Sequence, residues 1–365
     1  MPTVGDVLGA LEAIAPARYA FSFDKVGLQI GSRAASVSKV LVVLDCSQAA
    51  ADRAVDVGAE LVIAHHPLIW EPLKSINTGG GQGKIIETLV ANGVSFAAAH
   101  TNWDSAPGGI NDVMADLIGL QDVEVFGSDS QAQLYKVAVM VPVDGAGGLI
   151  DAMSEAGAGH IGNYDRCAFS VDGIGTFRGQ EGANPAIGSV GSIEEVAESK
   201  VEMVVPEADL NKVVSALRSA HPYEEPAYDL IPLKNSGGHP AGRVGNLGDS
   251  MTPAEFQDHL DTCLGTRCMV WSNRSQVSRV AVVGGAATGE WRAARAAGAD
   301  AFVTGEVPHH VSIEAQTSGL TIAAAGHFAT ENPGALELGV RLGGLVEDVE
   351  FLPFTPEAGI GGRPN

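Results

Sequence analysis

Residues 40–70, VLVVLDCSQAAADRAVDVGAELVIAHHPLIW, decide the fold. Val40–Asp45 is a continuous apolar run of strand length, Ala49–Gly58 has helical composition and stops at a glycine, and Glu60–Ala64 (ELVIA) is apolar again. Strands apolar at consecutive positions bury both faces, and a helix between two of them implies a parallel pair with a crossover. Lys84–Asn92, closed by Gly93, predicts a second helix, and Val94–Ala99 (VSFAAA) a third strand. The β-α-β-α-β order predicts a parallel sheet covered on both faces, an α/β fold.

The same order returns near the C-terminus. Val280–Gly284 (VAVVG), Ala301–Thr304 (AFVT) and Leu320–Ala325 (LTIAAA) predict strands, with a helix over Glu290–Ala297 closed by Gly298. VSKVLVV at 37–43 resembles VSRVAVV at 277–283, and GAELVIA at 58–64 resembles GADAFVT at 298–304, both 240 residues apart. GVSFAAAH at 93–100 resembles GLTIAAAG at 319–326, at a separation of 226. Two pairs at one offset, in the same order as the third, favour duplication over chance similarity of Ala/Val/Gly-rich strands.

A segment of different character lies between the copies. Leu134–Val141, Ala168–Val171, Lys200–Val205 and Tyr228–Leu233 predict strands, and Gly147–Glu155 and Glu207–Ala220 helices. That β-α-β…β-α-β order suggests a ferredoxin-like α+β module, with SGGHPAG at 236–242 as the return linker. The expected plan is two pseudo-symmetric α/β halves forming one metal-binding domain, residues 1–130 and 237–365, interrupted by an inserted domain at 131–236.

The chain has 365 residues, 45% of them hydrophobic and 18% charged, a composition that packs rather than stays disordered. Its formal net charge of −22 opposes nucleic acid and anionic membranes at long range. It does not exclude a nucleotide, because a metal supplies local positive charge. Cys46, Cys167, Cys263 and Cys268 form no CxxC pair and no zinc-finger spacing. The N-terminus lacks a basic n-region and no stretch approaches ~18 uninterrupted apolar residues, so a cytoplasmic protein is expected.

Three strand ends carry candidate chemistry. In AHHPLIW at 64–70, His65 and His66 sit where a buried strand runs out and Pro67 stops it. In open α/β sheets ligands gather at carboxyl ends, and neutral imidazole is the commonest metal ligand. Two hydrogen-bonded histidines at a surface turn are the alternative. AHTNWDSAPGG at 99–109 places His100 and Asp104 beyond the neighbouring strand, with Ser105 a possible helix cap. In AGHFATENPGALELG at 325–339, His327 follows a strand, Thr330 is a candidate N-cap, and Glu331 and Pro333 then fall in the first helical turn. Glu331 is either a carboxylate ligand or a partner of the helix dipole. Three histidines and two carboxylates exceed what one tetrahedral zinc needs and suit two divalent ions, zinc, manganese, iron or cobalt. TGEVPHH at 304–310 adds Glu306 and His310, which with His100 are candidate proton carriers. HPYEEPAYD at 221–229 is either a ligand entrance or contact, or a connection from helix to strand. GGGQGK at 79–84 lacks P-loop spacing and is expected to be a flexible loop.

Taken together, FDKVGLQIG at 23–31, AHHPLIW, HTNWD, GAGHIGNYDRC at 157–167, GTFRGQEGANPAIG at 175–188, HPYEEPAYD, TGE and GHFATE resemble, in order and over nearly the whole chain, the GTP cyclohydrolase I type 2 homologue (Nif-three-like) family. Phe23 stands where that family more often has Trp. The resemblance implies a dinuclear metal site at His65, His66, Asp104, His327 and Glu331, a PII- or CutA-like inserted domain, and a ring-shaped homohexamer. Three functions compete: a metal-dependent hydrolase of a nucleotide or related phosphorylated small molecule, a non-catalytic metal-binding or metal-delivery protein, and a nucleic-acid-binding ring, which the charge disfavours.

Overall fold

The computed structural model describes residues 1–21, 23–127, 133–162, 164–236 and 240–356. The chain forms two compact units, Met1–Ser128 with His239–Asn365, and Asp129–Gly238.

In chain order the first unit opens with α1 (Val4–Ile14), β1 (Gly27–Ile30), β2 (Lys39–Val43), α2 (Gln48–Val57), β3 (Leu61–Ala64), α3 (Gly81–Ala91), β4 (Ser95–Ala98), α4 (Thr101–Ser105), α5 (Ile110–Ile118) and β5 (Gln121–Phe126). The second unit holds β6 (Gln133–Pro142), α6 (Ala146–Glu155), β7 (Ala168–Arg178), β8 (Ile193–Pro206), α7 (Leu210–Ala220) and β9 (Tyr228–Ser236). The first unit resumes with β10 (Gly242–Met251), α8 (Pro253–Leu264), β11 (Met269–Trp271), β12 (Val277–Val282), α9 (Trp291–Ala296), β13 (Ala301–Thr304), α10 (His309–Thr317), β14 (Thr321–Ala324), α11 (His327–Gly343) and β15 (Glu350–Pro353).

One sheet of the first unit runs β1-β4-β3-β2-β15 and the other β11-β14-β13-β12-β10-β5. Each has three central parallel strands and one antiparallel edge strand beside the last of them, β1 on β4 and β11 on β14. Val40 pairs with Leu61 and Leu61 with Ser95; Val280 pairs with Ala301 and Ala301 with Thr321. The edges interlock, since β5 pairs with β10 and β15 with β2.

The apolar runs bury both faces because alternate residues enter different cores. Val40, Val42, Leu61 and Ile63 pack with α1 and α11, whereas Leu41, Val43, Val62 and Ala64 pack with α2. Capping matches local chemistry: the Ser47 hydroxyl accepts from the Ala50 amide at 3.2 Å, and Gly58 ends α2 in the left-handed conformation at φ 69°.

The connection that builds the site is α11. It leaves β14 of one sheet but lays Ala335, Leu338 and Leu342 into the core of the other. Two glycines permit the approach: a Cβ on Gly339 would stand 3.0 Å from Val42 Cγ2, and one on Gly334 would stand 2.7 Å from Ile110 Cα. The Trp103 indole N–H donates to Gly334 O at 2.8 Å, fixing α4 against α11.

In the second unit all pairings are antiparallel, in the order β7-β8-β6-β9. Leu149 and Met153 of α6 and Val213 and Leu217 of α7 pack on Val137, Val139 and Val201.

Several expectations are corrected. GGGQGK is no loop throughout, because α3 starts at Gly81. The last helix starts at His327 with Gly326 as its N-cap, so Pro333 lies inside it and Thr330 is not the cap. The Thr330 hydroxyl bonds Gly326 and His327 carbonyls at 3.1 and 2.9 Å instead. Strands β7 and β8 extend well beyond the apolar segments, carried by each other's ladder rather than by burial. In the expected linker, Ser236 ends β9 and Gly242 begins β10, while 237–239 lie outside the described residues. Among the described residues no helix is long and apolar enough to cross a membrane.

Candidate metal centre

Beyond β3 the chain keeps its place beside β2: the His65 amide donates to Val43 O at 3.1 Å and the His66 amide to Leu44 O at 3.0 Å. A regular strand would send the two side chains to opposite faces. Here the strand has ended, and the two rings lie with centroids 5.0 Å apart. His100, past β4, lies 5.1 Å from the His65 ring and 5.6 Å from His66; His327, at the start of α11, lies 5.2 Å from His66.

Every one of these histidines is tied by Nδ1 to an acceptor. His65 reaches Ala99 O at 2.9 Å, His66 Asp45 Oδ1 at 2.8 Å, His100 Asp24 Oδ1 at 2.8 Å and His327 Glu306 Oε1 at 2.9 Å. Carbonyl and carboxylate oxygens only accept, so each Nδ1 carries a proton and the tautomer is set from outside the cluster.

The Nε2 atoms meet carboxylates. His66 and His327 place Nε2 at 3.0 and 2.9 Å from Glu331 Oε2 and 3.3 Å from each other. His65 Nε2 lies 3.6 Å from Asp104 Oδ1 and 3.9 Å from Glu331 Oε2. His65 Nε2, Asp104 Oδ1 and Glu331 Oε2 are buried and, despite these approaches, lack a partner in hydrogen-bonding geometry. An unsatisfied buried polar atom costs about 1–3 kcal/mol. Three in one place, each a metal-donor type, fit a cation. Two overlapping sets could hold a metal, His65 with His66 and His100, and His66 with His327 and Glu331; in each the donor atoms lie within 4.8 Å of one another.

Without a metal the cluster polarises itself. Burial pushes His65 down to about 3. Burial also opposes charge on His66, but the Asp45 hydrogen bond and the negative charges of Glu331 and Asp45 outweigh it and raise it to about 10. His327 rises to about 9, chiefly through Glu331. Burial and then the Glu331 charge push Asp104 up to about 7. Glu331 itself is lowered, its burial outweighed by His327 and His66.

Glycines make room on the side of β12 and β13. A Cβ on Gly285, at φ 65°, would stand 2.0 Å from Glu331 Oε1, and one on Gly305 would stand 2.8 Å from His327 Cα. Buried Asn111 joins the two sides: its amide donates to Asp104 O at 3.1 Å and its Oδ1 accepts the Gly284 amide at 2.8 Å.

Thus His65, His66, Asp104, His327 and Glu331 come together, with His100 among them. Glu306 is outside, holding His327. His310 is exposed in the first turn of α10, and among the described residues no hydrogen bond or ion pair ties it to the cluster. HPYEEPAYD joins α7 to β9 within the second unit, where His221 Nε2 reaches Met140 O at 2.8 Å. Sequence reasoning missed Asp24, Asp45, Asn111 and Gly285. Asp45 had a signal, an acidic residue at the carboxyl end of β2, and Asp24 lies in a motif singled out for resemblance alone.

The model of the Duf34/NIF3 (NGG1p interacting factor 3) family matches residues 2–356. The chain is 43% identical over 324 residues to a Halalkalibacterium halodurans protein named GTP cyclohydrolase 1 type 2 homolog, covering 88% of this chain and 87% of that one. It is 40% identical over 328 residues to a Bacillus subtilis protein of the same name, with 88% and 87% covered. Among solved structures, a Bacillus cereus protein related to NIF3 matches with a TM-score of 0.67 and 37% identity, over 99% of this chain and 98% of that one.

Proposed function

The chain belongs to the Duf34/NIF3 family, and from that premise we propose that it is a dinuclear divalent-metal protein that hydrolyses a nucleotide or related phosphorylated compound. In this reading His65, His66, Asp104, His327 and Glu331 would together hold the ions. The observation that carries it is the convergence of three buried, unpartnered donor atoms, His65 Nε2, Asp104 Oδ1 and Glu331 Oε2, in a cluster whose imidazoles are all fixed by Nδ1. Zinc, manganese, iron and cobalt all suit the mixed nitrogen and oxygen set.

Bound there, such ions supply Lewis acidity and make water acidic enough to ionise near neutral pH. The chain's own part is orientation. Asp45 and Glu306 aim His66 and His327, and the Ala99 carbonyl aims His65. His100, aimed by Asp24, is the ring in the cluster left over from the five proposed ligands, and in this reading it exchanges a proton with substrate or water.

The same reading takes the two α/β halves as a duplication. It is supported by β1-β4-β3-β2 and β11-β14-β13-β12 sharing one order, and by the paired residues Val40, Leu61 and Ser95 standing 240, 240 and 226 positions from Val280, Ala301 and Thr321. It takes the second unit as an inserted ferredoxin-like domain of the PII/CutA kind, supported by its β-α-β-β-α-β order.

Metal content by elemental analysis, on wild type and on His66→Ala, tests the centre. About two transition-metal ions per chain, with a clear loss in the variant, is expected. No metal after reconstitution would sink the reading. Metal without turnover of any nucleotide or phosphate ester would leave a binding or delivery protein in its place.

A further inference from the structure

Beside the cluster stand two aromatic side chains that the hydrolase reading does not use. Phe23 is 43% exposed and Trp70 40% exposed. Their rings lie 6.2 Å apart and tilted 52° to each other, and Phe21 adds an edge contact to Phe23 at 5.7 Å. Trp70 meets His100 edge to face at 5.9 Å, and His100 meets His65 and His66 in turn. The exposed rings are therefore one imidazole away from the converging donor atoms.

They are also held in place. The Gln29 amide clamps the backbone just before Trp70, accepting the Ile69 N–H at 2.7 Å and donating to Ile69 O at 3.0 Å. The same Nε2 lies 2.9 Å from Lys25 O, two residues beyond Phe23. On the other side the Gln82 amide donates to Leu68 O. One side chain thus ties together the two loops that carry Phe23 and Trp70. Apolar rings left in water gain nothing for folding. Fixing them by a two-pronged amide is arrangement for an occupant.

We propose that Trp70 and Phe23 form a stacking platform for a planar heteroaromatic ring, which makes the substrate of the neighbouring cluster a ring-bearing molecule of the nucleotide class rather than any phosphate ester. The proposal rests on the hydrolase reading of that cluster. The occupant follows from size and chemistry. A large aromatic side chain carries roughly 150–250 Å², so the exposed part of each ring is on the order of 80 Å². The two rings are tilted 52° to each other, so one flat ring system lies face to face on one of them and meets the other along its edge, and the exposed area falls far short of the ~800 Å² that each partner contributes to a stable protein interface. Stacking accepts any base, because every base has a π-face. The platform therefore selects rings as a class and leaves the choice among them to other contacts.

The test is calorimetric titration of the zinc-loaded full-length protein with guanosine 5′-monophosphate and with ribose 5-phosphate, which keeps the sugar and phosphate and lacks the ring. Wild type should bind the nucleotide at least roughly tenfold more tightly than the sugar phosphate. Trp70→Ala, with unchanged metal content, should lose roughly tenfold to hundredfold of the nucleotide affinity. Trp70→Phe should keep most of it, and Phe23→Ala, at the other end of the platform, should repeat the loss. Equal affinity of wild type for the two compounds overturns the platform, as does unchanged nucleotide binding in both alanine variants. A wild-type dimer that Trp70→Ala dissolves also overturns it, because a second copy would then cover the rings. Metal content separates this from the reading beneath it. Normal zinc with ring-independent binding sinks the platform alone. Absent zinc with ring-dependent binding sinks the metal centre alone.

Discussion

The carboxyl ends of the two parallel sheets do opposite jobs. Past β2, β3 and β4 stand Asp45, His65 and His100; at the matching positions past β12, β13 and β14, 240, 240 and 226 residues on, stand Gly285, Gly305 and Gly326. One sheet end supplies side chains and the other supplies space. The space is used by α11, which crosses from β14 to the core of the other sheet and delivers His327 and Glu331 one helical turn apart. Two similar backbones thus make one cluster by dividing donors from room, and the division can be attacked from either side.

The largest effect is expected at Glu331, the point where both sides meet. Its Oε2 lies within 3.9 Å of three histidines and is 5% exposed as a residue. Glu331→Gln keeps the volume and replaces an anionic donor by a neutral amide. Metal per chain, measured by elemental analysis, should fall close to zero under conditions that saturate wild type. A variant that retains its full metal complement would remove Glu331 from the centre and leave it only as the buried partner of His66 and His327.

Next comes an addition on the empty side. Gly285→Ala places a Cβ only 2.0 Å from Glu331 Oε1, on a backbone at φ 65°. Left-handed strain for a non-glycine residue costs of order 1–3 kcal/mol, and the displaced carboxylate adds to it. A lower denaturation midpoint and weakened metal binding should appear together. If thermal unfolding of this variant matches wild type within error, the glycines are not what makes room for α11.

Much of this was legible in the sequence, and the reasons are local. A parallel strand buried on both faces is a run of Val, Ile, Leu and Ala, so β2, β3, β13 and β14 announced themselves, and the residues just past them were candidates by position. What escaped depends on non-local pairing. β5 (QDVEVF) is exposed along nearly all its length and β15 has only four residues, so neither carries an apolar pattern that names its partner. Asp24 was illegible because it lies 76 residues before His100 and meets it through the fold alone. Gly285 was illegible because its contribution is an absence, visible only once Glu331 stands beside it. The start of α11 was misplaced because Thr330 has the composition of a cap, while its hydroxyl is spent inside the helix.

The smallest effects should lie in the residues that aim the histidines, and here the two sides differ by degree. Asp45 holds His66 at 2.8 Å and Glu306 holds His327 at 2.9 Å, nearly the same bond. The surroundings separate them, for the Asp45 side chain is 36% exposed and that of Glu306 60%. Orienting partners of metal-bound histidines are worth 10–100-fold in affinity as a general range. Water competes better for an exposed hydrogen bond, and a freely hydrated imidazole N–H loses less when its carboxylate is gone. Asp45→Asn should therefore weaken metal binding by roughly tenfold or more, and Glu306→Gln by no more than about threefold, in competition titrations against a chelator. Equal losses would mean that the carboxylate charge itself, rather than the direction it gives the ring, is what the site takes from these residues. A larger loss at Glu306 would reverse the assignment of the two sheet ends, making the glycine-lined side the one that sets ligand geometry.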